Sequence, residues 1–250
     1  MSLQKPYKRI YRPIIGVDKV LGNPEEYLED SRYIDIKERQ SLINAARLIV
    51  RDFENLFDYI EPCEQNKGVY SHRIYELLLR TATEFEANCK GVLVANGYAK
   101  CPKDLCVKDY KRLDTAMKLS EYKVEYSRWN PINAIKPFED WSRNDPLSWY
   151  QAYNHVKHNR YDNFCESSLE TLLTAISGLL CLLVAQFHST AACINNGQSY
   201  YVDIDGQELD IEHFHIDLPE FPVEECYSFD WQLLEQDADA FVNYQFSNRR

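Results

Sequence analysis

The chain predicts a mainly α-helical fold, a helical bundle carrying a short β insertion and a C-terminal β-hairpin. Three observations predict it. Apolar residues recur at helical spacing over 36–60 and again over 71–95, a nearly continuous apolar run covers Leu169–Phe187, and alternating residues flank Asp205-Gly206.

Residues 1–36 hold prolines at 6, 13 and 24, many tyrosines and no sustained period, so they read as an irregular lead-in lying on the surface. From Ile36 to Ile60 the positions Leu42, Ala45, Ala46, Ile49, Val50, Phe53, Leu56 and Phe57 keep helical spacing, and Pro62 ends the run. A second amphipathic helix runs from about Ser71 to Ala95. Ile74, Leu77, Leu78, Ala82, Phe85, Cys89, Val92 and Leu93 share its apolar face, and Asn96-Gly97 stops it. Pro102-Lys103-Asp104 opens a shorter helix to about Leu119, after which Tyr122, Val124 and Tyr126 alternate as a strand does. Pro131 and Pro137 then break the chain into an aromatic loop that ends at Asn144-Asp145-Pro146, where a helix beginning near Trp149 follows.

The apolar run Leu169–Phe187 needs a decision about membranes. A span requires about 20 predominantly apolar residues, and Thr174, Ser177 and Gly178 interrupt this one, so it reads as a central buried helix and no membrane is expected. Ser167 or Ser168 caps it, with Glu170 placed to suit the helix dipole. Asp205-Gly206 between alternating segments signals a tight hairpin. With no internal repeat and no Gly/Ser linker, the organisation reads as a lead-in (1–36), a helical domain (37–188, with the strand and loop insertion at about 120–146) and an acidic segment with the hairpin (189–250) packed on the same domain.

Composition narrows the partners. A chain of 250 residues with 45% apolar and 27% charged residues is ordinary for a globular protein. Its formal charge of −11 is concentrated after Asp203, which leaves residues 1–202 balanced between acids and bases. A balanced body lacks the footprint of a long-duplex binder, so any nucleic acid is expected to bind locally, and the acidic end suits solubility or a basic protein partner. The 8 cysteines form no C-x-x-C pair and no finger spacing, so neither a metal nor a cofactor is expected. Cys89 and Cys181 lie on apolar helical stretches and read as small hydrophobes. The start M-S-L-Q-K-P-Y-K-R-I lacks a secretory apolar core, and the expected compartment is the reducing cytoplasm with free thiols. No P-loop, dinucleotide fingerprint, H-E-x-x-H or G-x-S-x-G occurs. His213 and His215 alternate on an acidic segment and could join Asp210 or Glu212 at a metal, although strand histidines more often face neighbouring strands.

Residues suited to proton transfer and anion binding gather in W-Y-Q-A-Y-N-H-V-K-H-N-R-Y, from Trp149 to Tyr161. At helical spacing Trp149, Ala152, Tyr153 and Val156 form a core stripe, while Tyr150, Asn154, Lys157, His158 and Tyr161 share a polar sector of roughly 100°. His158 is the candidate acid or base, because imidazole exists in both forms near neutral pH. Asn154 would orient it, Lys157 would hold phosphate, and Tyr150 and Tyr161 would stack on a base or wall the helix. Arg160 projects about 20° from Trp149 on the wheel and so requires a partner. Glu84, on the flank of the second helix between Arg80 and Asn88, is expected to reach it, whereas Glu86 and Lys90 are expected to pair outward at i,i+4.

The helix with R-T-A-T-E-F-E-A-N-C-K (80–90), the later Y-N-H-V-K-H-N-R (153–160) and the apolar helix after it resemble the HEPN domains, helical bundles of bacterial toxin, phage-defence and CRISPR systems. The resemblance covers roughly residues 37–188. It implies a cytoplasmic homodimer, joined through the Trp149–His188 region, that acts on RNA as a metal-independent endoribonuclease without a cofactor. In that family an arginine stands four to six residues before a histidine that helps a ribose 2′-hydroxyl attack the adjacent phosphate. His158 matches that histidine and Asn154 the polar residue that follows the arginine, but Tyr153 occupies the arginine's place. Lys157 and Arg160 are then the cations left to hold phosphate, with Tyr150, Tyr153 and Tyr161 as candidate substrate contacts. A non-catalytic module that binds nucleotide, RNA or protein is the other function this pattern implies.

Overall fold

Four helices built from the longest apolar patterns form the body. The computed structural model describes residues 3–15, 26–188, 202–204, 207–209 and 213–246. In chain order the helices are α1 (Ile36–Glu54), α2 (His72–Ala95), α3 (Val107–Tyr110), α4 (Leu113–Met117), α5 (Glu139–Ser142), α6 (Ser148–His158), α7 (Arg160–Asn163), α8 (Leu169–Phe187) and α9 (Trp231–Leu234). The strands are β1 (Lys123–Tyr126), β2 (Ala134–Ile135), β3 (Val202–Ile204), β4 (Gln207–Leu209) and β5 (Phe214–Asp217). The fold is mainly helical with a small antiparallel sheet, as the periodicities require.

Helix α8 is the axis, packed against α2, α6 and α1. It is long and apolar enough to cross a membrane, yet 83% of its most apolar window is buried inside the chain. Its start is fixed by Ser168, whose Oγ accepts the Thr171 amide at 3.2 Å. The other cap candidate, Ser167, is buried and donates to the Phe164 carbonyl at 2.6 Å. Ser71 caps α2 by accepting the Ile74 amide at 3.2 Å, and Gly97, at φ +69°, takes the left-handed turn that follows its C-cap Asn96. The first helical pattern ends earlier than expected, because α1 gives way to a 3₁₀ turn over Asn55–Asp58. The helix expected over 102–119 is divided into a 3₁₀ turn, α3 and α4. Cys106 is extended at the head of α3, and Lys118, at φ 54°, closes α4.

The strand expected at Tyr122–Tyr126 forms as β1 and buries Val124 and Tyr126. It is the centre of a sheet ordered β2-β1-β5, with Glu125 opposite His215 and Val124 opposite Ile216. β3 and β4 pair in the register of a two-residue hairpin, Ile204 opposite Gln207, and the turn residues themselves lie outside the described residues.

The lead-in does not lie on the surface. Ile10, Tyr27 and Tyr33 are buried, and Arg9 and Arg12 are almost fully buried with them. Arg9 donates from Nε and Nη2 to Gln186 Oε1 (3.0 and 2.8 Å) and from Nη1 to Glu38 (2.6 Å), while Gln186 donates onward to Asn88 at 2.9 Å. Burial pulls the Arg9 pKa below its usual value, and the Glu38 charge opposes that shift. Tyr7, Tyr27, Tyr33, Tyr227, Phe229, Trp231 and Phe241 stack into a second aromatic cluster joining the two ends of the chain. Many weak aromatic contacts thus replace the periodic apolar face that the sequence lacks there.

Candidate functional site

Helix α6 is held at its start by two bonds. Asp140 accepts the Ser148 amide at 2.8 Å, and Trp149 Nε1 donates to the Pro137 carbonyl at 3.0 Å. The expected stripe faces inward: Trp149, Tyr153 and Val156 are buried and Ala152 is half-buried. Tyr150 does not join the polar sector. It is buried as well, because α6 packs against α2 as well as α8, and the α2 contact covers the flank that a single wheel leaves open.

On that flank Glu86 of α2 is the common acceptor. It receives the Tyr150 hydroxyl at 2.8 Å and the Tyr153 hydroxyl at 3.3 Å, and its other oxygen lies 3.4 Å from Lys90. The expected Glu86–Lys90 pair exists, but Glu86 also serves the interior. Lys157 donates to the Tyr153 hydroxyl at 2.8 Å and sits 4.9 Å from that ring's centroid. Burial followed by the Glu86 bond raises the Tyr150 pKa well above its usual value, and the bond to Tyr153 raises the ammonium of Lys157. Tyr150 and Tyr153 are therefore packed links between α6 and α2, and neither ring is available to stack on a ligand.

Beyond His158 the helix ends, and with it the wheel that placed Arg160 near the core. Asn159 leaves helical geometry at φ −143°, donates to Asp162 at 2.6 Å and accepts from Asn163 at 3.0 Å, which fixes a tight turn into α7. That turn carries Arg160 outward. Its guanidinium lies 5.7 Å from the Tyr75 centroid and makes no contact with Glu84. Glu84 lies instead in a groove of about 310 Å³ between α1 and α2, lined by Ala45, Leu48, Ile49, Leu79, Arg80 and Thr83. Desolvation raises its pKa, opposed by the Arg80 charge. The expected Glu84–Arg160 contact is corrected on both counts.

At the end of α6 and in the turn into α7, Asn154 is half-buried and Lys157, His158, Arg160 and Tyr161 are all exposed. Tyr161 is 95% exposed, and neither its hydroxyl nor the His158 ring has a hydrogen-bond partner among the described residues. The surface continues toward the start of α2, where Phe164 meets Tyr70, His72 and Tyr75 at centroid distances of 5.3, 4.8 and 6.0 Å. A separate groove of about 790 Å³ at the end of the sheet, lined in part by Lys123, Lys136, Asp217 and Glu220, contains none of the residues expected to form the site.

One feature of this surface escapes the helical wheel. His155 Nδ1 lies 2.8 Å from Glu166 Oε2, across the turn formed by α7. The two are eleven residues apart on different elements, so only the chain reversal at Asn159 brings them together. At the sheet, His213 Nδ1 lies 3.1 Å from Ser127 Oγ and His215 faces Glu125, while Asp210 and Glu212 fall outside the described residues. No group of three or more metal-capable side chains occurs among the described residues. No family model matches the chain, and no curated protein and no solved structure matches it.

Proposed function

We propose that this chain is a HEPN-like helical module that acts on single-stranded RNA at the surface where α6 turns into α7. The observation that carries this reading is Tyr161, an aromatic ring 95% exposed next to the exposed Arg160 rather than packed on its own chain. An open ring stacks on any base, and Arg160, His158 and Lys157 beside it suit the phosphates of the same strand. Few cations take part, so binding is local and salt-sensitive, in keeping with a body of balanced charge.

Cleavage would use the same surface. His158 moves a proton in the attack of a ribose 2′-hydroxyl on its phosphate, and Arg160, whose guanidinium pairs with no carboxylate among the described residues, supplies the charge that the motif arginine would. Lys157 is the weaker candidate for that role, being held by Tyr153. A second copy would meet this one through the Trp149–His188 region, the homodimer that the resemblance implies. The second reading, a module that binds RNA without cutting it, is favoured by Tyr153 in the arginine's place with its hydroxyl already engaged by Glu86 and Lys157.

Incubating the protein and its His158→Ala variant with structured and unstructured RNA in EDTA tests the pair. Cleavage to 2′,3′-cyclic phosphate ends that the variant loses supports the nuclease, and binding without cleavage by either protein supports the module. Absence of both overturns the RNA reading.

A further inference from the structure

His158, the imidazole that the sequence pattern selects, has no hydrogen-bond partner to orient it among the described residues. His155, one helical turn earlier, has one. Its Nδ1 lies 2.8 Å from Glu166 Oε2, and the contact is built across a turn that Asn159 and Asn163 lock with their own side-chain bonds. A carboxylate at Nδ1 holds the proton there and leaves the Nε2 lone pair pointing away, the tautomer of a general base, and it stabilises the imidazolium once the base has taken a proton. The His155 side chain is 53% exposed, and Nε2 is the nitrogen that Glu166 leaves for a ligand. Positions 155 and 158 are three apart on one helix, which sets their Cβ atoms about 5–6 Å apart, a separation that a single phosphodiester can bridge.

We infer that His155, oriented by Glu166, is a second catalytic imidazole of this surface and acts as the base, with His158 as the acid. The inference rests on the RNA reading above. Neutral His155 takes the proton of the ribose 2′-hydroxyl at Nε2. The oxygen attacks the adjacent phosphorus, and as the new P–O2′ bond forms the P–O5′ bond breaks. Protonated His158 gives its proton to the departing 5′-oxygen. The products are a 2′,3′-cyclic phosphate and a 5′-hydroxyl, and exchange with solvent restores both imidazoles. No water or redox partner is consumed. Glu166 touches no reacting atom and is a positioning residue.

The test uses the full chain, a 5′-fluorescein single-stranded RNA and the same RNA with one 2′-deoxyribose, all in EDTA, with binding read by anisotropy and cleavage by cyclic-phosphate ends. Loss of one proton-transfer group costs about 10²–10⁴-fold. His155→Ala should therefore lose that much in kcat with RNA binding retained, and added imidazole should restore part of the rate. Glu166→Gln should lower kcat and leave KM in place. Because His155 is exposed and Glu166 only half-buried at the surface, the variants should keep the wild-type circular dichroism spectrum. Wild-type cleavage that His155→Ala preserves, or a defect that imidazole does not relieve, overturns the inference. RNA binding with no cyclic-phosphate product overturns it while leaving the RNA reading intact, and absence of binding removes both.

Discussion

Glu86 decides whether the flank of α6 is structural or functional. Two phenols, Tyr150 from the wheel's polar sector and Tyr153 from its core stripe, end on its carboxylate, so replacing Glu86 by Ala leaves buried hydroxyls without an acceptor. A loss of about 1–3 kcal/mol in urea unfolding is expected, against little effect from Tyr161→Ala, whose ring is exposed. Glu84 behaves oppositely. Its carboxylate is partly desolvated in an apolar groove, so its folded pKa lies above the unfolded one and the charged form is penalised on folding. That penalty is present at neutral pH and disappears as pH falls through the raised value. Glu84→Gln should thus raise Tm at pH 7 and change nothing below roughly pH 4, where the carboxyl is protonated in both states. An equal shift at both pH values would contradict the desolvation argument.

The elements with a clean apolar face, α1, α2 and α8, are legible because period and burial coincide. Ile74, Leu77, Phe85 and Val92 face the core as their spacing requires. α6 is legible only on its primary stripe. A wheel sees one packing partner, and α6 has two, which is why Tyr150 falls on the wrong side. Arg160 is misread for a different reason, since a wheel continues through Asn159 and the backbone does not. The His155–Glu166 pair is invisible to any local pattern because it spans a reversal. The lead-in is illegible as a packed element, its burial coming from scattered tyrosines and two arginines. One position reports on that packing. A Cβ at Gly91 of α2 would stand 2.2 Å from Arg9 Nη1, so Gly91→Ala must displace the buried guanidinium from Gln186 and Glu38. Although alanine favours helix, destabilisation of about 1–3 kcal/mol is expected from the overpacking, and Arg9→Ala combined with it should be less than additive.

Across the whole molecule the two ends of the chain are woven together. Leu3 donates to the Cys226 carbonyl, Ile15 to Tyr227, and Val242 to Pro6, while Arg12 donates to Ala116 and Glu225 beneath the rings of Tyr7 and Phe221. The full chain should therefore unfold in one sharp thermal transition, and removing residues 1–15 should abolish it instead of merely trimming it. Two separate transitions in the intact protein would contradict this coupling. The net negative charge of the sequence resides from Asp203 onward, while the end of α6 and the turn into α7 expose His155, Lys157, His158 and Arg160 beside Asp162. The most direct measurement is the affinity of a labelled single-stranded RNA for the protein and for Tyr161→Ala at fixed, low salt. A stacked ring contributes about 1–3 kcal/mol per base, so binding should weaken by roughly 5- to 150-fold with no change in Tm. Equal affinity for both proteins, or no binding by either, would contradict an RNA-binding surface at the end of α6.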